Sequence, residues 1–160
     1  FNLLDDVELW SFPIEDEVLV KLKIVNNNVI AIGTNNVYYF NLNGKLLWKN
    51  GVYSKILDYY INTENEKIYM LYNKDGSEEL IVYNFEGKVV SVNKVSSAIK
   101  KLKVYDNKVF VYNENSIYLI HGIKTDKIYE DAEGIISDFM VEGNDIRILS
   151  KDKLTTGKLK

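Results

Sequence analysis

The feature that most constrains this chain is a turn that returns about every forty residues. A turn leading into a strand recurs at Val29 (VNNNVIAI), Ile68 (NENEKIYML), Val109 (YDNKVFVY) and Ile146 (EGNDIRIL), at spacings of 39, 41 and 37 residues. Each turn is built from Asn, Asp, Glu and Gly, and each leads into a run of β-branched and aromatic residues with period-two stretches. A second turn closes the next strand at Asn43-Gly44, Glu86-Gly87 and His121-Gly122, with a weaker echo at Thr156-Gly157. Glycine there supplies the positive φ of a tight two-residue hairpin. A unit of this length with four short strands leaves an apolar face that only its neighbour covers.

The expected fold is therefore all-β, a β-propeller of four-stranded antiparallel blades with about four blades in this chain. Inner strands fall at 18–25, 55–62, 98–105 and 135–142, and second strands at 29–34, 67–72, 108–113 and 146–150. Third strands fall at 37–42, 79–85, 116–121 and 153–156, and outer strands at 45–49, 88–93 and 124–130. No window carries the i, i+3, i+4, i+7 apolar stripe of a capped helix. One domain spans 1–160, with approximate repeats 15–49, 53–93, 97–130 and 134–160 plus 7–14. The segment Val7-Glu-Leu-Trp-Ser-Phe12 resembles the outer strand Lys45-Leu-Leu-Trp48, with Trp10 in the place of Trp48. It is expected to supply the fourth repeat's missing outer strand and so close a small propeller, removing the sheet edges. The competing expectation reads Thr156-Gly-Lys-Leu159 as the start of a further outer strand, which makes the chain part of a larger propeller with two open edges.

Composition narrows the class. At 160 residues and 46% hydrophobic the chain can bury one core, and 27% charged residues is ordinary for a globular domain. Twenty basic against 23 acidic residues give a net charge of -3, so no positive field draws a polyanion and nucleic acid is not an expected partner. No apolar run approaches the roughly 18 residues that span a bilayer as a helix. Zero cysteines exclude disulfides, thiol nucleophiles and thiolate metal sites. The chain opens on Phe1, which suggests a piece of a longer protein.

The stretch Ile32-Gly-Thr-Asn-Asn-Val-Tyr-Tyr-Phe-Asn-Leu-Asn-Gly-Lys-Leu-Leu-Trp48 resembles the repeat of pyrroloquinoline-quinone-type (PQQ-like) β-propellers. The stretches LIVYNFEGKVV and IYLIHGIKTDKI keep the tyrosine and glycine and lose the tryptophan. WD-type repeats match less well, because no Trp-Asp pair or Gly-His signature stands in register. The resemblance implies the uncharacterised, non-enzymatic bacterial members of that superfamily rather than the quinone dehydrogenases. A dehydrogenase would need a stacking tryptophan, calcium carboxylates, a catalytic aspartate and often a vicinal cysteine pair. No catalytic, cofactor-binding or metal residue is therefore carried over, and no cofactor is expected. The resemblance also implies an exported or membrane-tethered, extracytoplasmic setting.

Candidate site residues have bland readings that weigh more. Trp10 and Trp48 at matching outer-strand positions are expected to wedge between blades rather than stack on a ligand. Adjacent tyrosines in a strand point to opposite faces, so Tyr38-Tyr39 and Tyr59-Tyr60 each serve two surfaces. The single histidine, His121, precedes a turn glycine and has no second histidine to share a zinc site or proton transfer. No G-x-S-x-G elbow is present. Asn73-Lys-Asp-Gly-Ser-Glu-Glu79 gathers oxygen ligands without the calcium-loop pattern, so Asp75-Gly76 reads as a hairpin turn. Asp5, Asp6 and Glu15-Asp-Glu17 read as solvated loops. Lys94, Lys100, Lys101 and Lys103, with Lys151, Lys153, Lys158 and Lys160, read as edge-strand lysines that block aggregation.

These readings converge on a non-catalytic repeat scaffold that binds a protein or surface ligand through its loops, as a monomer, or as a dimer if the propeller is open. The alternative is a carbohydrate-binding or enzymatic module with Tyr and carboxylate groups converging on a central channel.

Overall fold

The computed structural model describes residues 10–51, 55–95, 98–133, 135–151 and 153–159. Four sheets follow one another along the chain. The first holds β1 (Leu19–Val25), β2 (Asn28–Gly33), β3 (Asn36–Asn41) and β4 (Leu46–Gly51). The second holds β5 (Lys55–Asn62), β6 (Lys67–Lys74), β7 (Ser77–Asn84) and β8 (Val89–Val95). The third holds β9 (Lys101–Tyr105), β10 (Lys108–Tyr112), β11 (Ser116–His121) and β12 (Lys124–Glu130). The fourth has three strands, β13 (Ile136–Glu142), β14 (Asp145–Ser150) and β15 (Lys153–Lys158). Strands pair antiparallel with their sequence neighbours, so the repeats expected from the turn spacing are the sheets observed. Among the described residues there is no helix.

The sheets stack face to face because each has apolar side chains on both sides. Val25, Ile30, Ile32, Val37 and Tyr39 of the first sheet meet Ile68, Met70, Tyr72 and Tyr83 of the second. On its other face the second sheet places Tyr69, Leu71, Leu80 and Val82 against Leu102, Val104, Val109 and Val111 of the third. Phe110, Tyr112, Ile117 and Leu119 then meet Phe139, Val141, Ile146 and Ile148 of the fourth. The period-two alternation within one strand thus feeds two cores. Tyr38 and Tyr39 are both buried on opposite faces, as strand geometry requires.

Turn chemistry fixes the register. Asn26-Asn27 and Asp106-Asn107 take positive φ of 48°, 57°, 47° and 62°, and Asp75-Gly76 takes 50° and 82°, so the Asn73–Glu79 stretch is a hairpin. Two of the second turns differ from the two-residue hairpins expected, whereas the third is one, with Gly122 at φ 58° in the loop between paired His121 and Lys124. At Asn41–Lys45 the Gly44 amide donates to Asn41 O at 3.1 Å and the Asn41 amide to Lys45 O at 3.1 Å, which makes a three-residue loop with glycine at φ 78°. Asn84–Lys88 repeats this geometry around Gly87. The Asn41 Oδ1 and Asn84 Oδ1 atoms accept further backbone amides, which favours the longer loop. Thr156-Gly157 is not a turn at all: Gly157 lies inside β15 opposite Ile146, one position before the strand ends.

The glycines of these loops have a second duty. A Cβ on Gly87 would lie 2.8 Å from the Trp48 ring, and one on Gly44 would lie 2.6 Å from the Trp10 ring. Trp48, carried on β4, stacks on Tyr39 at 5.3 Å and donates from Nε1 to Phe85 O of the next sheet at 2.9 Å. Both tryptophans therefore sit over a turn glycine; Trp48 is the expected wedge between two sheets, whereas Trp10 packs on the first sheet alone. Trp10 itself is not in a strand; it packs on Phe40 at 5.7 Å, beside Phe12 at 5.0 Å from the same ring. Residues 7–9 of the expected strand lie outside the described residues.

Among the described residues the small closed ring does not form. Leu22 and Ile24 on the outer face of the first sheet are 62% and 71% exposed, and Leu154 on the outer face of the fourth is 66% exposed. Closure would place these faces against each other. The first sheet instead covers Ala31, Tyr38 and Phe40 with its own Trp10, Phe12 and Ile14, because that segment is tethered next to it.

Candidate interaction surface

With consecutive antiparallel strands, the β1–β2, β5–β6, β9–β10 and β13–β14 turns all fall at one end of the stack. Side chains join them laterally from sheet to sheet. Asn26 Nδ2 donates to Glu66 Oε1 at 2.8 Å, and Asn65 Nδ2 to Asn107 Oδ1 at 2.7 Å. Lys108 Nζ reaches Gly143 O at 2.6 Å and Asn144 Oδ1 at 3.1 Å. A row of exposed turns is thereby held in fixed relative positions. A cleft of about 510 Å³ opens beside it, lined by Lys23, Tyr60, Asn62, Glu64, Tyr105 and Asn107 among others.

The inner strands carry a second lateral series. Bulges fall at the same place in β1, β5 and β13, between Leu19/Lys21, Ile56/Asp58 and Ile136/Asp138. Asp58 Oδ1 accepts its neighbour's amide, Tyr59 N, at 2.8 Å, while Oδ2 accepts Leu102 N of the third sheet at 2.8 Å. Asp138 Oδ1 accepts Phe139 N at 2.8 Å and pairs with Lys103, which also donates to Phe139 O at 2.8 Å. The Lys103 pairing holds the Asp138 carboxyl below its ordinary range, against the opposing effect of burial. The carboxylates nearest the inner edge are thus engaged in joining sheets. Lys103, read as a protective edge lysine, is on an edge strand but ties the third sheet to the fourth, and its ammonium lies 5.1 Å from the Phe139 ring centroid.

Glu17 departs from the solvated-loop reading. Its Oε1 accepts Asn35 N at 2.6 Å and Asn36 N at 2.7 Å, and its Oε2 accepts Asn36 Nδ2 at 2.8 Å and the Tyr38 hydroxyl. Burial opposes its ionisation, but these donors outweigh that and hold its carboxyl below the ordinary range, while burial and the adjacent carboxylate push Tyr38 up to about 12. Glu15 and Asp16 remain exposed, as expected. Asp5 and Asp6 lie outside the described residues. Because the folded Glu17 pKa is below the ordinary value, its stabilisation is complete above pH about 4.5 and declines as pH falls through the folded value. Glu17→Gln is expected to raise the proteolytic susceptibility of residues 10–18 at neutral pH. Wild type should match it only in acid; equal susceptibility at pH 7 would show that Glu17 does not anchor the segment.

The other candidates stay scattered. His121 is exposed at the end of β11, just before the turn into β12. Lys151 and Lys153 line a cleft of about 540 Å³ at the opposite end, with Asp131, Glu133, Ile135 and Ser150. Lys160 lies outside the described residues. Among the described residues no three His, Cys, Asp or Glu side chains come together to hold a metal. No helix of the described residues is long and apolar enough to cross a membrane.

Four stacked antiparallel sheets, each four strands or three, joined through their faces, define a β-propeller architecture. A family profile covers residues 6–159, and the chain belongs to that family, DUF5711, a family of unknown function. No curated protein matches. Among solved structures it is similar to the computationally designed Ika4 protein, at 15% identity and TM-score 0.66 over 96% of this chain and 99% of that one. It is also similar to BamB from Moraxella catarrhalis, at 15% identity and TM-score 0.62 over 94% of this chain and 48% of that one. The WD40 domain of Neurospora crassa Pan2 matches at 15% identity and TM-score 0.56 over 81% of this chain and 41% of that one. Against these two natural structures the chain spans less than half of their length.

Proposed function

We propose that the chain is a non-catalytic propeller-type domain of the PQQ-like kind, an extracytoplasmic scaffold that binds a protein or surface ligand at its rim. The observation that carries this reading is the laterally bonded row of turns. Asn26, Glu66, Asn107 and Asn144 are exposed and held in register across four sheets. A pre-ordered polar surface binds with little further ordering cost. The engagement of Asp58 and Asp138 in sheet-to-sheet contacts supports a structural inner edge over an acid–base site.

The test is retention of a partner from extracts of the source organism by the immobilised chain. A rim variant, Asn26→Lys with Asn107→Lys, should lose the partner, and Lys153→Glu at the opposite end should keep it. Hydrolase and dehydrogenase assays with added calcium and quinone should give no turnover. Turnover abolished by Asp58→Asn would overturn the reading in favour of an enzymatic channel site.

A further inference from the structure

We infer that the cleft between the inner strands of the second and third sheets binds a neutral saccharide, with Tyr60 as the ring on which the sugar stacks. Tyr60 breaks a pattern that its neighbours keep. The last paired residues before the inner turns are Val25, Asn62 and Tyr105. Lys23, Tyr60 and Lys103, each two positions earlier, are therefore equivalent, and each faces the sheet that follows. Lys23 Nζ donates to Ile61 O of the second sheet at 3.4 Å, and Lys103 Nζ donates to Phe139 O of the fourth at 2.8 Å. A lysine at this position ties one inner strand to the next. In the second sheet the position holds Tyr60, which has no ammonium to donate, and a cleft of about 510 Å³ lies between the two inner strands there. These strands are joined farther along, where Asp58 Oδ2 accepts Leu102 N at 2.8 Å.

The lining matches a sugar. Tyr60 stands opposite Tyr69, whose ring is buried against the third sheet and lies 6.2 Å from the Tyr60 ring at 55°. That packing orients the Tyr60 ring while 38% of the residue stays exposed. An ordered aromatic face of this kind takes the apolar C–H face of a sugar ring and leaves the hydroxyls to polar neighbours. Asn62 Oδ1 accepts the amides of Glu64 and Asn65 at 2.9 and 3.2 Å, and Asn107 Oδ1 accepts Asn65 Nδ2 at 2.7 Å. These bonds fix both side chains through their oxygens and leave their Nδ2 groups as donors. Glu64 and Asp106 line the same cleft as exposed acceptors, and Lys23 borders it as a further donor. Each sugar hydroxyl donates and accepts at once, so mixed donors and acceptors suit adjacent hydroxyls.

Charge and shape select against other small ligands. Two carboxylates against one ammonium repel a phosphate or a uronic acid. A single exposed ring does not form the aromatic cage that takes a quaternary ammonium. The volume lies within the roughly 300–1,000 Å³ of small-ligand clefts. The site adjoins the row of turns without depending on it, because Tyr60 takes no part in the Asn26–Glu66 and Asn65–Asn107 bonds. Loss of the sugar and loss of a partner at the rim are therefore separate results.

An array of immobilised neutral, acidic and amino saccharides tests this. The intact chain should be retained by neutral members and not by acidic ones. With the retained saccharide titrated in solution by calorimetry, Tyr60→Phe should bind as wild type and Glu64→Gln several-fold more weakly. Tyr60→Ala should lose at least about tenfold in affinity. Tyr60→Lys installs the residue that the equivalent positions carry, so it should abolish binding and melt no lower than wild type, which separates loss of the site from loss of the fold. Retention by no neutral saccharide would overturn the inference, as would a preference for acidic ones or equal affinity of Tyr60→Ala and wild type.

Discussion

Deletion of residues 1–14 is expected to lower the unfolding free energy by roughly 2–4.5 kcal/mol. Trp10, Phe12 and Ile14 are half-buried over Ala31, Tyr38 and Phe40. Full burial of such a side chain is worth about 1.5–3 kcal/mol, and half of that for three residues gives the figure. The loss should appear in a denaturant melt at fixed protein concentration as a lower midpoint. The sheets after the first should keep their spectrum, because their cores contain none of the deleted residues. A truncated chain that melts with the intact one would mean that the segment does not cover the first sheet.

Trp48→Ala is expected to cost about 3 kcal/mol, the low end of the range for truncating a large aromatic, because the ring is half-buried. Three contacts go together: the stack on Tyr39, the bond from Nε1 to Phe85 O, and the seat over Gly87. Trp48→Phe should recover much of the stacking but not the hydrogen bond, and fall between the two. A loss of only a few tenths in the alanine variant would show that the ring does not hold the first sheet to the second.

Much of this architecture was legible in the sequence because it is local. Hairpin strands adjoin in the chain, and their alternation and turn residues sit within a dozen positions. The expected strands 55–62, 116–121 and 124–130 coincide with β5, β11 and β12. The 98–105 strand starts later, at Lys101, because Ala98 takes a positive φ of 74° that no strand continues. The equivalence of Trp10 and Trp48 was also legible, since it follows from aligning repeats. What the sequence hid is what crosses between repeats. Asp58 meets Leu102 N and Lys103 meets Asp138 over 44 and 35 residues, and nothing in either local pattern distinguishes these from solvated charges. Glu17 looked like one of three acidic loop residues; only its place beside the amides of Asn35 and Asn36 sets it apart.

The central claim is that each sheet depends on its neighbours for cover, and native-state amide exchange tests it most directly. Within the chain the second and third sheets are covered on both faces and the fourth on one. The slowest amides should be those of β6, β7, β10 and β11, with β13–β15 exchanging markedly faster. Protection as strong in β14 as in β6 would contradict the claim, because the outer face of the fourth sheet would then have cover that the stack does not provide.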